Sequence, residues 1–239
     1  MESTGDRLPH GYTNLTSSDG SWVTKRFTGP QVAGRLAREA SVLRAIASVV
    51  PVPAVRDVGD DYITMRHMPG THGQDMLNPD TAARVLAACG RVLARVHAVP
   101  AAVLPFARTP DDAARGRTVL VHGDFGPNNV LLDTEGREVT AVFDWEWARL
   151  GRPVEDLAWC EWVVRMHHPD CVEAMPHLFH GYGTQAPAWA ERRGAMLARI
   201  RELLDFCASP AGPQGAAGAR AAAVAEWRRR LAVTTTWRP

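Results

Sequence analysis

The chain has 239 residues, 46% hydrophobic and 22% charged, the balance of a folded globular protein rather than a disordered, collagenous or coiled-coil one. Lysine plus arginine (27) nearly cancels aspartate plus glutamate (26), so a formal charge of +1 offers no broad field for nucleic acid or anionic lipid, and neither is an expected partner. Cys89, Cys160, Cys171 and Cys207 form no CxxC pair, the histidines show no zinc-like spacing even at His167 and His168, and neither an apolar leader core nor a bilayer-length apolar run is present, which together point to reduced thiols, no histidine metal site and the cytoplasm.

Residues 11 to 27 read as a hairpin, with Gly11, Ser17, Ser18, Asp19 and Gly20 as turn formers ahead of the alternation through Trp22, Val23, Thr24 and Lys25. Thr28-Gly29-Pro30 opens a helix to about residue 48, in which Val32, Leu36, Leu43 and Ile46 recur at helical steps. Pro51 and Pro53 end it, and residues 54–58 and 62–68 form two strands around Gly59-Asp60-Asp61. Pro69-Gly70 marks a boundary, giving an N-terminal lobe of residues 1–68, a small antiparallel sheet with one helix, and a larger C-terminal lobe of residues 69–239.

Asn78-Pro79 starts a second helix with Val85, Leu86, Cys89, Val92, Leu93 and Val96 on one side. After a loop containing Pro100, Pro105 and Pro110 come three short apolar strands at 118–121, 130–132 and 139–143. From Pro153 onward the pattern is helical, with breaks near His168-Pro169 and between residues 209 and 218. The expected class is α+β, mainly helical in its second part.

Between the apolar strands lies His122-Gly123-Asp124-Phe125-Gly126-Pro127-Asn128-Asn129, and Asp144-Trp145-Glu146 follows the third. Acids and an amide held at strand ends are what phosphoryl transfer requires. One aspartate must orient and deprotonate the attacking hydroxyl, while an asparagine and a second aspartate hold Mg²⁺ against the phosphates. The competing reading is that Asp124, Asn128 and Asn129 only cap turns. Upstream, Lys25 ends a strand and Glu39 lies on the next helix, so a folded-back pair would set the lysine against nucleotide phosphates; isolated, the same two residues are ordinary solvated charges.

His122-x-Asp124-x-x-x-x-Asn129 with Asp144 resembles the catalytic loop and metal segment of the aminoglycoside phosphotransferase and choline kinase group, distant relatives of protein kinases, and Gly151 to Ala158 is similar to a segment that follows it in that group. The resemblance implies a bilobal protein-kinase-like fold, ATP (or GTP) and Mg²⁺ as cofactors, Asp124 as catalytic base, Asn129 and Asp144 as metal ligands, and His122 as a loop-ordering residue. It also implies a Lys25–Glu39 pair, a phosphate-covering loop around Gly11, and an adenine-binding connection at Met65, Arg66 and Met68. That last segment reads equally as an ordinary buried strand ending in a turn.

The expected acceptor is a small molecule carrying a hydroxyl and an amine, because Glu146, Asp156, Glu161, Asp170 and Glu173 place acids near or beyond the metal segment. An aminoglycoside or other antibiotic suits this, as does an amino alcohol or related metabolite, and a non-catalytic nucleotide-binding module is the reading from another class. Trp145, Trp147, Trp159 and Trp162 either wall the acceptor site or belong to the core, and Asp156 either meets substrate or braces the loop. Little chain precedes Lys25, and few residues separate His97 from His122, so acceptor recognition falls on the helices after residue 155. Monomer and dimer stay open.

Overall fold

The computed structural model describes residues 6–7, 15–106, 118–209 and 217–239. Its first part is a five-stranded antiparallel sheet in the order β1-β2-β3-β5-β4, built from β1 (Asp6–Arg7), β2 (Leu15–Ser18), β3 (Trp22–Arg26), β4 (Val55–Val58) and β5 (Tyr62–Arg66). Asp19 closes the β2–β3 turn as expected from its chemistry, its carboxylate accepting the N–H groups of Ser21 (2.9 Å) and Trp22 (2.7 Å).

Helix α1 (Val32–Ile46) buries Leu36, Ala40, Val42, Leu43 and Ile46 beneath the sheet. Its buried stripe also carries Arg35 and Glu39, two charges that apolar periodicity alone would have left outside.

Past residue 66 the chain makes β6 (Thr71–His72), the short α2 (Gly73–Met76) and α3 (Ala82–His97). Two further sheets follow: β7 (Val119–Val121) pairs with β10 (Arg149–Gly151), and β6, β8 (Val130–Leu132) and β9 (Val139–Val142) form the other. Strands β6 and β10 were not foreseen, since stretches of two or three residues containing Thr, His, Arg and Gly carry no alternation and exist only through their partners.

Helices α4 (Pro153–His167), α5 (Met175–Tyr182), α6 (Trp189–Ala208) and α7 (Ala217–Thr236) complete the chain. The expected break falls at His168-Pro169, where a 3₁₀ turn (Pro169–Ala174) separates α4 from α5. No helix among the described residues is long and apolar enough to cross a membrane.

Two hydrophobic clusters hold these parts. The larger runs from Phe27, Leu43 and Ile63 through Leu86, Leu93, Leu120 and Leu157 to Leu178, and the smaller joins α4 to α6 through Trp159, Trp162, Met196, Ile200 and Leu203. Helices α3 and α5 touch backbone to backbone: a Cβ added at Gly90 would lie 2.2 Å from the Leu178 carbonyl oxygen, and one at Gly181 2.3 Å from that of Ala87. Only glycine permits that approach. It brings Tyr182 beside His97 at the end of α3, and His97 in turn supports the loop after β7.

Candidate active site

The loop leaving β7 is braced from below by one buried carboxylate. Asp156, in the first turn of α4, accepts the backbone N–H of His122 at 2.7 Å on Oδ2 and that of Gly123 at 2.9 Å on Oδ1. It also takes a hydrogen bond from His97 Nε2 at 3.0 Å, while the other His97 nitrogen pairs with the Tyr182 hydroxyl at 2.9 Å. Burial would raise the Asp156 carboxyl, but the hydrogen bonds from His97 and from the backbone N–H groups of the loop hold it below the usual range, so it stays ionised.

His122 is fully buried, and burial lowers its pKa, which keeps the ring neutral. Nε2 donates to the Phe143 carbonyl (2.9 Å) and Nδ1 accepts the Asp124 N–H (3.2 Å), an assignment that fixes one tautomer. The ring therefore ties the loop after β7 to the segment leading into Asp144.

Asp124 is held at both oxygens. Trp159 Nε1 donates to Oδ1 (2.7 Å) and Asn129 Nδ2 to Oδ2 (2.9 Å). Burial pushes its carboxyl up to about 6, against the lowering charge of Arg199. Asn129 also donates to the Asp124 carbonyl at 2.7 Å, which leaves its own side-chain oxygen as the atom able to meet a cation.

Asp144, two residues beyond β9, has φ 70° and ψ 51°, a left-handed backbone that costs a non-glycine residue about 1 kcal/mol or more. The pairing of Val130 with Val142, and the hydrogen bond from the Phe143 N–H to the Asn129 carbonyl (3.2 Å), bring Asn129 and Asp144 to neighbouring strand ends. Lys25 reaches Asp144 from β3 across 119 positions of sequence and binds Glu39 Oε2 at 2.7 Å. Burial works against the Lys25 charge, yet Asp144 and Glu39 outweigh it and raise its pKa, so the ammonium is kept. Burial raises Asp144 too, but Lys25 holds it below the usual carboxylate range. Glu39 is pushed up to about 7, first by burial and then, against the lowering pull of Lys25, by the Asp144 and Glu146 carboxylates.

Glu39, Asp144 and Glu146 bring ligand atoms within 4.8 Å of one another. Lys25 already neutralises the first two, and Arg35 Nη1 meets Glu146 at 2.6 Å while both side chains are 2% exposed. The oxygen donors that fit Mg²⁺ are therefore Asp144, whose side chain is 27% exposed and ionised, and the Asn129 amide oxygen beside it.

Three of the five acids expected to meet an amine are turned inward, while Asp170 and Glu173 are exposed on the 3₁₀ turn after α4. Glu146 is bound to Arg35, Asp156 is fully buried under the loop, and Glu161 is fully buried between Arg165 (2.9 Å) and Arg192. Trp145 is fully buried as well, its N–H donating to the Val142 carbonyl (3.1 Å) and its ring 4.5 Å from that of His122. Glu146, Asp156 and Glu161 are thus held in pairs within the fold, as buried charges must be, and Trp145 is packed in the core. Trp162 is core, stacked 4.4 Å from Trp159; Trp159 belongs to the same core cluster yet presents its N–H to Asp124. Met65 is buried on β5, Arg66 is exposed with its N–H donating to the Ala54 carbonyl (2.9 Å), and Met68 is half-buried. Gly11 and the proposed covering loop lie outside the described residues.

Sequence reasoning missed Arg35, His97 and Arg199. A signal existed for two of them: Arg35 and Arg199 stand in the apolar stripes of α1 and α6, beside Leu36 and Ile200, where an unpaired cation would be excluded.

Residues 4–116 and 107–195 match the phosphotransferase enzyme family known as APH. The chain belongs to that family. Among curated proteins, acyl-CoA dehydrogenase family member 10 of Mus musculus is 28% identical over 53% of this chain and 16% of its own length, so the chain spans about a sixth of that relative.

Solved structures of similar fold include the gentamicin complex of APH(2'')-IIa (15% identity, 95% of this chain and 90% of that one, TM-score 0.68). Others are macrolide 2'-phosphotransferase MphH from Brachybacterium faecium (21%, 98% and 92%, 0.58) and a thermostable APH(4)-Ia with AMP-PNP and hygromycin B (19%, 97% and 93%, 0.67). At these identities they show the α+β kinase-like fold of the chain and nothing further.

Proposed function

We propose that this phosphotransferase transfers the γ-phosphoryl group of ATP to a hydroxyl of a small molecule, with the nucleotide between the lobes of residues 1–68 and 69–239. The observation that carries this reading is the meeting of Lys25, Glu39 and Asp144 from β3, α1 and the segment after β9, beside an Asp124 fixed at both carboxylate oxygens. Lys25 neutralises phosphate oxygens, and Glu39 keeps that lysine in place. Asn129 and Asp144 would hold Mg²⁺, which would supply neutralising charge at the phosphates. Asp124 accepts the proton as the acceptor oxygen bonds to γ-phosphorus and ADP departs. Met65, Arg66 and Met68 line the adenine side.

An antibiotic acceptor is supported by the relatives named for aminoglycosides and a macrolide, and no longer by Glu146, Asp156 and Glu161. The test is ATP consumption with Mg²⁺ across aminoglycosides, peptide antibiotics and amino alcohols, beside Asp124→Ala. Nucleotide binding without turnover on any acceptor would favour a binding module.

Asp124 must be ionised to take a proton, and its carboxyl sits near 6 through burial, with Asp144 raising it and Arg199, Trp159 and Asn129 lowering it. Initial rates with a non-titrating acceptor will therefore hold above neutrality and fall about tenfold per pH unit below about 6. A rate level down to pH 4.5 would remove Asp124 from the base role.

A further inference from the structure

Arg199, on α6, is 7% exposed, yet uses only Nη1 on a side-chain acceptor, Glu202 Oε2 at 3.0 Å. Its Nε and Nη2 are closed to solvent and meet no hydrogen-bond partner. These two nitrogens share one edge of the guanidinium, whose parallel N–H groups match the paired oxygens of a carboxylate or a phosphate. Two unmet donors on a buried cation are costly unless a ligand completes them.

The surroundings say which ligand. The Arg199 guanidinium lies 4.6 Å from the Trp147 ring centre and 5.9 Å from that of Trp159, and the Trp159 N–H holds Asp124 Oδ1 at 2.7 Å. Burial disfavours the Arg199 charge, while Asp124 and Glu202 are the acids that offset it. The guanidinium therefore lies against the ring that holds Asp124, near enough for its charge and the Asp124 carboxylate to interact. Three of the five acids that suggested an amine, Glu146, Asp156 and Glu161, are meanwhile spent on Arg35, His97, Arg165 and Arg192.

We propose that Arg199 is a specificity residue whose Nε–Nη2 edge binds an oxyanion of the acceptor, so that the physiological acceptor is a hydroxylated carboxylate or phosphate ester rather than an amine. This rests on the kinase reading above. The oxyanion is unchanged in the reaction, while the acceptor hydroxyl gains the phosphoryl group and yields its proton to Asp124.

The experiment offers ATP and Mg²⁺ with glycerate, 3-hydroxybutyrate and glycerol 3-phosphate, each beside its neutral counterpart (glyceramide, 3-hydroxybutyramide, glycerol), and with ethanolamine and kanamycin. Calorimetric titration into the protein loaded with ADP and Mg²⁺ reads the probes that do not turn over. The anionic member of at least one pair is expected to be favoured about 30- to 100-fold in KM or Kd, the size of a lost charge-assisted hydrogen bond.

Arg199→Met should abolish that preference by raising KM for the anionic member, and Arg199→Lys, which keeps the charge but not the edge, should restore only part of it. Winning carboxylates or winning phosphates tell the two oxyanion sources apart. Preference for neutral or amine probes, no binding by any anionic probe, an undiminished preference in Arg199→Met, or an equal fall in kcat on every acceptor would overturn the proposal. Turnover of amines alone would leave the kinase reading standing without this one, whereas failure to bind ATP would remove both.

Discussion

Asp124→Asn is expected to lower kcat by about 10²- to 10⁴-fold while leaving ATP affinity and the folded state essentially as they are. Asparagine keeps the size of the side chain and one oxygen to accept a hydrogen bond, so one of the bonds from Trp159 (2.7 Å) and Asn129 (2.9 Å) survives. What disappears is the only group on the loop placed to take the proton of an acceptor hydroxyl. The amide also ends the negative charge facing Arg199 and Asp144, which removes repulsion from the latter. Steady-state kinetics with any turned-over acceptor, beside ATP titration of the same variant, separates loss of chemistry from loss of binding. A kcat within tenfold of the parent would show that Asp124 is not the base.

The second large effect falls on stability. Asp156→Ala is expected to cost about 3–5 kcal/mol, because it strands three donors that now meet a single buried carboxylate: the N–H groups of His122 and Gly123 and Nε2 of His97. Gly123 has φ 82° and little spare room, since an added Cβ would lie 2.6 Å from the Trp147 carbonyl oxygen, so the loop cannot readily refold to satisfy itself. Chemical denaturation gives the loss directly, and kcat falls with it as His122 and Asp124 lose their fixed geometry. A loss below about 1 kcal/mol would mean that the loop is held by other contacts than the ones that bury Asp156.

The parts of the fold visible in the sequence are those with local causes. Helix α3 shows its core face through Val85, Leu86, Cys89, Val92, Leu93 and Val96, all of which are buried. The loop from His122 to Asn129 stands out because polar residues interrupt apolar runs, and the β2–β3 turn follows from Asp19. Strands β6 and β10 have no such cause.

The same division explains the site. Lys25, Glu39, Asp124, Asn129 and Asp144 could be named because their types and order fit one chemistry, and the structure brings them into one region. The fate of each surrounding acid depended on a partner far away in sequence, Arg35 lying 111 positions from Glu146 and His97 lying 59 from Asp156. No local pattern announces such a pair, and for that reason acids that looked like an amine site are braces instead. Trp159 was open to two readings from its spacing with Trp162, and it joins a buried stack on one side while its N–H serves Asp124.

Titration of ATP into the parent protein and into Asp144→Asn, at several Mg²⁺ concentrations, tests the site most directly. Parent affinity should tighten as Mg²⁺ rises, and the asparagine variant, with its size kept and its charge gone, should lose that response while staying folded, with a melting temperature lowered by the loss of the Lys25 ion pair. Binding that ignores Mg²⁺ in the parent, or an equal Mg²⁺ response in both proteins, would contradict a nucleotide site organised by Asp144 and Asn129.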